Sequence, residues 1–473
     1  MDRKRARRRL VWRNHAGDQS CRPLRIEHPA TTEHVQQLVR DAERDGATIR
    51  PVGAGHAWSD VALTDGILVE TDRMTGLLEA PGERLVRVRG GTRIRDLNAA
   101  LDARGLGLRN MGGYDGQAIA GVVATSTHGS GLAFGPFPDD VRSIDLVVAG
   151  GRLVRVEPTG GITAPGTFAG ELVQDDDAFA AAICAMGCMG IVDSLVLEVR
   201  PRFWLSERRV VRTWEEVRGG LDEALAREEH LELFLNPYPR GDGRHELLQT
   251  TRTEVPEPTA LSAGDGERHP LIEMQASIPL VWVLLRLGAR FVPSLLRTQF
   301  GRTLRRMEDD NYTQVSYRVF NIGAANHLPA LSSELAVPVE GDAHLRCVDR
   351  ILEIAAELAD RRKLFHTSPL SLRFVAPSRA YASMMHDRPT MMIELILVAE
   401  TRGGRELLAE YERRLGEEFA ARPHWGQFNV LGPGVAALYP RWADWLRTYE
   451  RMNDSGVFDS PFTDRIGISR RQR

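Results

Sequence analysis

The segment Ile49–Asp60, IRPVGAGHAWSD, constrains this chain more than any other. A strand-forming run feeds Gly53-Ala54-Gly55, and His56 follows the second glycine directly. Glycines let backbone approach a ligand with no Cβ in the way, and successive N–H groups of such a loop form an anion-binding concavity. His56 would then lie at the ligand rather than beside it. Alone, a Gly-x-Gly after a strand also describes a tight turn, so its weight comes from a second unusual segment farther along the chain.

That segment is Asn110–Gly131, NMGGYDGQAIAGVVATSTHGSG. The run is small and apolar with scattered polar groups, and only Met111 and Tyr114 bring bulk beside His128. A flexible linker would carry more serine, proline or charge, whereas a long ligand lying against backbone requires this composition.

The 473 residues suffice for two or three domains with a large buried core. A formal charge of −3 gives no global drive toward nucleic acid or anionic membrane. Met1–Arg13 carries seven basic residues and one acid, which reads as a solvated tail lacking any nucleic-acid-binding motif. All basic residues except Lys4 and Lys363 are arginine, a bias that fits GC-rich coding better than chemistry. No run approaches the roughly 20 apolar residues of a membrane-spanning helix. Ile278–Phe291 comes nearest and, interrupted by Pro279, Arg286 and Arg290, reads as an amphipathic helix buried in a cap domain. A peripheral membrane or oligomer contact is the alternative. Cys184 and Cys188 sit at helical spacing in an apolar stretch without histidine partners. The four cysteines therefore read as small hydrophobes, with no metal site and no disulfide framework, fitting a reducing cytoplasm.

Apolar Val35, Leu38, Val39 and Ala42 recur at helical spacing between Thr31 and Asp45, and Gly46 is placed to end that helix. Strands are expected at Ala47–Val52, Gly66–Thr71, Leu85–Val88, Ser143–Ala149, Leu153–Val156 and Ser194–Val199, with helices over Thr92–Arg104 and Asp177–Met189. After Pro201 the texture changes. Strands are expected at Glu232–Asn236, Glu246–Thr250, Ser316–Ile322, Ser333–Pro338, Pro369–Ala376 and Met391–Val398, a loop over Glu254–Glu267, and helices over Asp342–Arg361 and Gly404–Arg414. That is an antiparallel sheet with helices on one face. An aromatic helix with Trp442, Trp445 and Tyr449 comes next.

Together these segments resemble the aldonolactone and alditol oxidase group of the vanillyl-alcohol oxidase flavoprotein superfamily. The markers are GAGHAWSD, the run ending Ser126-Thr127-His128-Gly129-Ser130-Gly131, Met186-Gly187 with Gly190-Ile191-Val192, and Arg422-Pro423-His424-Trp425-Gly426, with further matches from Trp12-Arg13-Asn14 to Phe458–Pro461. The resemblance implies an α+β fold: a two-part FAD-binding domain of the PCMH type over residues 1–202, an antiparallel cap over 203–420, and a segment, 421–473, returning to the first domain. It implies FAD as cofactor. In this family the histidine of the first motif commonly bonds the flavin covalently, a role that falls here on His56; noncovalent FAD is the alternative. Gly53, Ala54, Gly55, Ala57 and Trp58, with Thr125, Ser126, His128 and Gly129, would hold pyrophosphate and ring. Gly112, Gly113, Gly121 and His424 would add contacts, and Gly190, Ile191 and Val192 would lie along the nucleotide.

At the substrate end this chain departs from the family. Sugar-oxidising members carry Glu-x-Arg on one cap strand and lysine after His-Trp-Gly; here stand Ser371-Leu372-Arg373 and Gln427, and a hydroxyl-bearing position is Gly113. Strand alternation puts Ser371 and Arg373 on one face and Glu394 and Ile396 on one face of the next strand, so Glu394 can approach Arg373. A carboxylate among Met, Ile, Leu and Val needs a partner. Glu394 is therefore expected to supply the acid/base function displaced from position 371, with Arg373 binding an oxygen and Ser371 and Gln427 completing the site. A structural Glu394–Arg373 pair is the alternative. The implied activity is oxidation of a CH–OH group less polar than a sugar lactone, with dioxygen or another acceptor reoxidising the flavin. Gly112 leaves room for dioxygen. A true aldonolactone or alditol oxidase, or a flavin-binding module that has lost catalysis, are the competing readings.

Overall fold

The computed structural model describes residues 10–79, 81–261, 265–266, 269–271, 279–323 and 329–471. Most of the basic run Met1–Arg13, part of the loop Glu254–Glu267, and Ile278 lie outside the described residues.

The chain opens with a small antiparallel ladder, β1 (Trp12–Arg13) and β2 (Ser20–Cys21). A parallel sheet comes next, built from β3 (Arg25–Glu27), β4 (Ile49–Val52) and β5 (Ile67–Glu70) in the order β3-β5-β4. The crossover from β3 to β4 is the helix Thr32–Arg44. The Thr31 side chain caps its first turn by accepting from His34 N, and its buried face is Val35, Leu38, Val39 and Ala42. Gly46, at φ +68°, turns the chain into β4.

A second sheet combines β6 (Leu85–Arg89), β8 (Val141–Val147), β9 (Leu153–Glu157), β10 (Glu171–Gln174) and β11 (Ile191–Glu198), ordered β10-β9-β8-β11-β6. Short strands β7 (Leu106–Gly107) and β12 (Arg200–Pro201) pair beside it. The helices Ile94–Asp102 and Ile119–Ala124 lie between β6 and β8 in the chain.

The third sheet has eight strands: β13 (Trp204–Thr213), β14 (His230–Leu235), β15 (Glu246–Val255), β16 (Asp309–Val315), β17 (Ala330–Pro338), β18 (Leu370–Val375), β19 (Thr390–Val398) and β20 (Arg422–Pro423). Its order is β16-β13-β15-β14-β18-β19-β17-β20, antiparallel throughout. Alternation divides its two faces. Leu233, Leu335, Leu372, Ile393 and Leu395 point into an apolar core with Ile351 and Tyr411 of the helices Ala343–Glu357 and Gly404–Phe419. Glu232, Phe234, Arg373, Glu394 and Glu334 belong to the opposite parity and face the other way.

After β20 the chain packs back onto its first part. Trp442, Trp445 and Tyr449 stack along one side of the helix Trp442–Met452, and Trp445 Nε1 donates to the Cys184 carbonyl at 3.1 Å. Ile49 N donates to the Val457 carbonyl at 2.8 Å.

Three local expectations are corrected. The helix expected over Asp177–Met189 runs only Asp176–Ala182. Met186 and Gly187 take left-handed backbone, and both carbonyls accept from the buried Arg50 guanidinium, so the chain turns away from the helix there. Cys184 and Cys188 thus lie in a turn, not on one helix face, though both are buried and unpaired. Ser316–Ile322 is not a strand: Ser316–Phe320 is helical and the strand precedes it as β16. Val315, Val319 and Phe320 are buried with one-turn spacing, a pattern too short to separate the two periods from sequence. Arg422–Pro423, expected to begin the returning segment, still pairs with β17 at the cap's edge.

Candidate active site

The cleft starts where β4 ends. Pro51–Trp58 line one wall, and three of the loop's carbonyls are taken up by the segment that joins β1 to β2. Gly55 O accepts from His15 N at 2.7 Å, Ala57 O from Asn14 Nδ2 at 2.9 Å and Trp58 O from Gln19 Nε2 at 2.9 Å. Among the described residues, no protein acceptor takes the N–H groups of Gly53, Ala54 and Gly55. Gly55 sits at φ +63°, a conformation glycine adopts without strain. The loop is tied at its far end, where Trp58 Nε1 donates to Ala330 O and Ser59 Oγ to Trp425 O, both at 2.6 Å.

His56 projects at the cleft between rings. Its centroid lies 4.9 Å from His15 in a stacked arrangement, 4.7 Å from Tyr114 and 5.0 Å from the edge-on Trp58. The opposite wall comes from Gly112, Gly113, Tyr114, Gly121, Thr125, Thr127 and His128, with Gly190 and Val192 closing the floor. Gly121 is exposed, and a Cβ there would meet no atom within 4 Å, which leaves backbone open to a ligand.

Three expected cofactor contacts do not line the cleft. Ser126 is fully buried at φ 59° and its hydroxyl pairs with Ser383 Oγ at 2.7 Å. Gly129 packs against Asn110, whose Oδ1 would lie 2.2 Å from an added Cβ. Ile191 points into the core with Val35, Val147 and Phe458. In each case neighbouring residues face opposite ways, and sequence marks the segment but not the side.

The cap contributes the other end. Ser371 stands opposite both Phe234 and Glu394, and Glu394 opposite Glu334, so one cross-strand row runs Phe234, Ser371, Glu394, Glu334. Arg373, Glu394, Glu334, Ser332, Ile396 and Phe234 line the cleft. Ser371 does not: it is buried, and its hydroxyl donates to Glu232 Oε1 at 3.3 Å, which corrects its expected place in the site.

Arg373 lies between two carboxylates, Nε 2.8 Å from Glu232 and Nη1 3.6 Å from Glu394. Glu232 is held further by Arg252 at 3.3 Å. Burial opposes its ionisation, but Arg373 and Arg252 win and its pKa falls below the ordinary carboxylate value. Glu334 faces His128 Nε2 at 3.2 Å; burial again opposes ionisation, yet His128 with His424 and Arg373 holds it at about 2. Glu394 is the least neutralised of the three. Burial comes first, and although Arg373 opposes it, the Glu334 and Glu232 carboxylates add to it and push Glu394 up to about 7. Like charges directly opposite on neighbouring strands cannot all ionise cheaply, and of the three Glu394 keeps its proton to the highest pH.

His424 Nδ1 accepts from Gly426 N at 3.0 Å, so the other ring nitrogen carries the proton; burial pushes His424 down to about 4 and keeps it neutral. Gln427 Oε1 is buried in the cleft wall with no protein partner among the described residues, an acceptor open to a ligand donor. At Gly113 an added Cβ would lie 2.8 Å from Ile322 Cγ1, so an apolar side chain fills the space beside that glycine.

Sequence reasoning missed Glu334, Glu232, Ile322, Phe234, Tyr114 and Arg50. The alternation that singled out Glu394 also marks Glu334 and Glu232 on cleft-parity positions, whereas nothing local marks Ile322. Arg50 is fully buried and donates to the Val61, Met186 and Gly187 carbonyls, bracing the floor from below.

A glycine-walled cleft with unpaired backbone N–H groups at one end and a charged antiparallel sheet over the other fits a dinucleotide whose reactive ring meets the cap. These features define a flavin-dependent oxidoreductase of the PCMH type. Residues 23–157 match the FAD binding domain family and residues 195–466 match the D-arabinono-1,4-lactone oxidase family. The chain belongs to the D-arabinono-1,4-lactone oxidase family. It is 27% identical over 461 residues to L-gulono-1,4-lactone dehydrogenase of Mycobacterium tuberculosis, covering 96% of this chain and 99% of the relative. To alditol oxidase of a Streptomyces species it is 27% identical over 463 residues, covering 95% and 97%. Cholesterol oxidase from B. sterolicum shares the fold at TM-score 0.72 and 16% identity, with 97% and 96% of the two chains covered. The protein is an FAD-dependent oxidoreductase acting on CH–OH donors.

Proposed function

We propose that this protein is an oxidase of an alcohol less polar than a sugar lactone, with Glu394 as its base and Arg373 as its oxygen-binding group. The observation that carries this reading is the pairing of a protonatable Glu394 with Arg373 at 3.6 Å on a cleft wall whose other members include Phe234, Ile322 and Ile396.

The substrate hydroxyl enters between the guanidinium of Arg373 and the carboxylate of Glu394. Glu394 removes the hydroxyl proton, and Arg373 holds the oxygen as charge develops on it. A carboxyl with a pKa of about 7 is ionised often enough to act near neutrality and basic enough to take the proton. Glu232 holds Arg373 in place and keeps its own charge committed to two arginines. Phe234, Ile322 and Ile396 make part of the cleft wall apolar, which suits a less polar alcohol. When bound, FAD would supply the acceptor for the hydride of the carbinol carbon, and dioxygen would be the oxidant that regenerates it, with release of hydrogen peroxide.

The N–H groups of Gly53–Gly55 would hold the pyrophosphate, Gly121 and Gly190 would lie against the nucleotide, and His56 would carry the flavin covalently. Gly112, which lines the cleft without a side chain, supports access for dioxygen. The second reading, oxidation of an aldonolactone or alditol, is favoured by relatives aligned with nearly the whole chain. An anaerobic screen of flavin bleaching separates the two. Steroid, terpenoid and aromatic alcohols should bleach the flavin and lactones and polyols should not; peroxide should appear when air is admitted. Bleaching by lactones or polyols alone would establish the second reading.

A further inference from the structure

The stretch Val283–Arg306 contains Arg286, Arg290, Arg297, Arg302, Arg305 and Arg306 and no acidic residue. Over the same span Val283, Leu284, Leu287, Phe291, Val292 and Leu295 are exposed, each between 46% and 61%. On the helix Pro279–Phe291, positions 283, 284, 287 and 291 fall within an arc of about 100° at 3.6 residues per turn, which makes one continuous apolar stripe.

The opposite side of this element is anchored. Ala289 is buried and its carbonyl accepts from Arg402 N at 3.1 Å, while Gly288 closes on Leu296, and Pro293, Phe300 and Leu304 are buried under the succeeding turns. The element is therefore seated on the cap by one face with its apolar stripe turned outward, which corrects the expectation that this helix is buried. Arg286 and Arg290 both reach Glu400, and Arg305 reaches Glu246. Arg297 lies over the Tyr238 and Phe365 rings. The arginines outnumber these paired acids, so the surface is apolar and cationic together.

We propose that this face docks on a bilayer containing anionic phospholipid. Leucine, valine and phenylalanine side chains enter the headgroup and acyl boundary, while the arginine stems run along it and their guanidinium groups meet lipid phosphates. A second copy is a poorer occupant, because a two-fold contact of this surface with itself sets arginine against arginine. The anchoring point, Arg402, lies just beyond the end of β19, the strand that carries Glu394 and Ile396 to the cleft. Docking would thus bring the bilayer to the cap side of the molecule. The inference does not depend on which substrate the cleft takes.

The test is flotation of the FAD-loaded full chain with vesicles of phosphatidylcholine alone and of equimolar phosphatidylcholine and phosphatidylglycerol. Partition into the anionic vesicles should exceed that into the neutral ones by about tenfold or more and weaken with added salt. The triple variant Leu284→Ser, Leu287→Ser, Phe291→Ser should lower partition into anionic vesicles by about tenfold or more, with flavin content and melting temperature unchanged. Arg302→Gln with Arg306→Gln should weaken anionic binding only, leaving weak neutral-vesicle binding as it was. Absence of partition into either vesicle, or triple-variant partition equal to wild type, overturns the proposal. So does a homodimer in light scattering that the triple variant dissolves, which would make the face a self-association surface instead.

Discussion

Replacing Glu394 by Gln separates a base from a structural partner, because the two roles move activity and stability in opposite directions. The ordinary carboxyl value is 4.5, and burial together with Glu334 and Glu232 raises Glu394 to about 7 in the folded protein despite Arg373. A carboxyl raised on folding is bound to its proton more tightly in the native state. Its contribution to stability is fully present below about pH 4.5 and is lost as pH rises through about 7. By pH 8 the ionised side chain costs the fold about 3 kcal/mol, an amount the isosteric amide does not incur. Glu394→Gln should therefore be more stable than wild type at pH 8, by up to that amount, and no more stable near pH 4.5. Chemistry should go the other way. Wild-type kcat/KM should climb about tenfold per pH unit below pH 7 and level off above it, since only the ionised carboxylate accepts a proton. In Glu394→Gln that rising limb should vanish, and anaerobic flavin reduction should fall by about 10²–10⁴-fold with FAD still bound. Stopped-flow bleaching across pH, paired with urea unfolding at pH 4.5 and pH 8, reads both quantities. Near-normal reduction by the Gln variant, or a loss of stability at pH 8, would refute the argument and leave Glu394 as a structural partner of Arg373.

Acid precipitation should leave yellow colour in the wild-type pellet and release all flavin from His56→Ala; flavin in the wild-type supernatant would remove the covalent role of His56. Arg50→Met should lower stability by about 2–5 kcal/mol, because the Val61, Met186 and Gly187 carbonyls lose buried donors, and thermal unfolding with and without added FAD measures it. In Gly53→Val the new Cβ would lie 2.7 Å from the Ala118 Cβ, so the loop must shift and flavin content should drop with far-ultraviolet dichroism unchanged; full flavin content would show that the loop gives way freely.

Much of the cofactor wall was legible because its signals are local. Gly53 and Gly55, the small-residue run and His128 announce backbone approach in the letters themselves, and those residues do line the cleft. Ser126, Gly129 and Ile191 share those segments but turn into the core or pack on neighbours. Which side of a tight backbone a residue takes depends on φ and ψ rather than on composition. The early end of the helix after Ala182 shows the same limit, since the group that captures the turn's carbonyls is Arg50, more than a hundred positions away.

Sequence by itself determined that Arg373 and Glu394 could share a face, because side chains on a strand alternate with period two and strand pairing then sets them side by side. The tertiary structure alone decided which carboxyl holds the proton. Glu232, Glu334 and Glu394 arrive on β14, β17 and β19, and two of them find close partners, Arg252 with Arg373 for one and His128 for the other. Glu394 is left with a shared arginine, a Ser332 hydroxyl at 3.3 Å and a carboxylate directly opposite. Coulomb interactions depend on distance through space, so a protonation state set by residues on several strands cannot be read along any one of them.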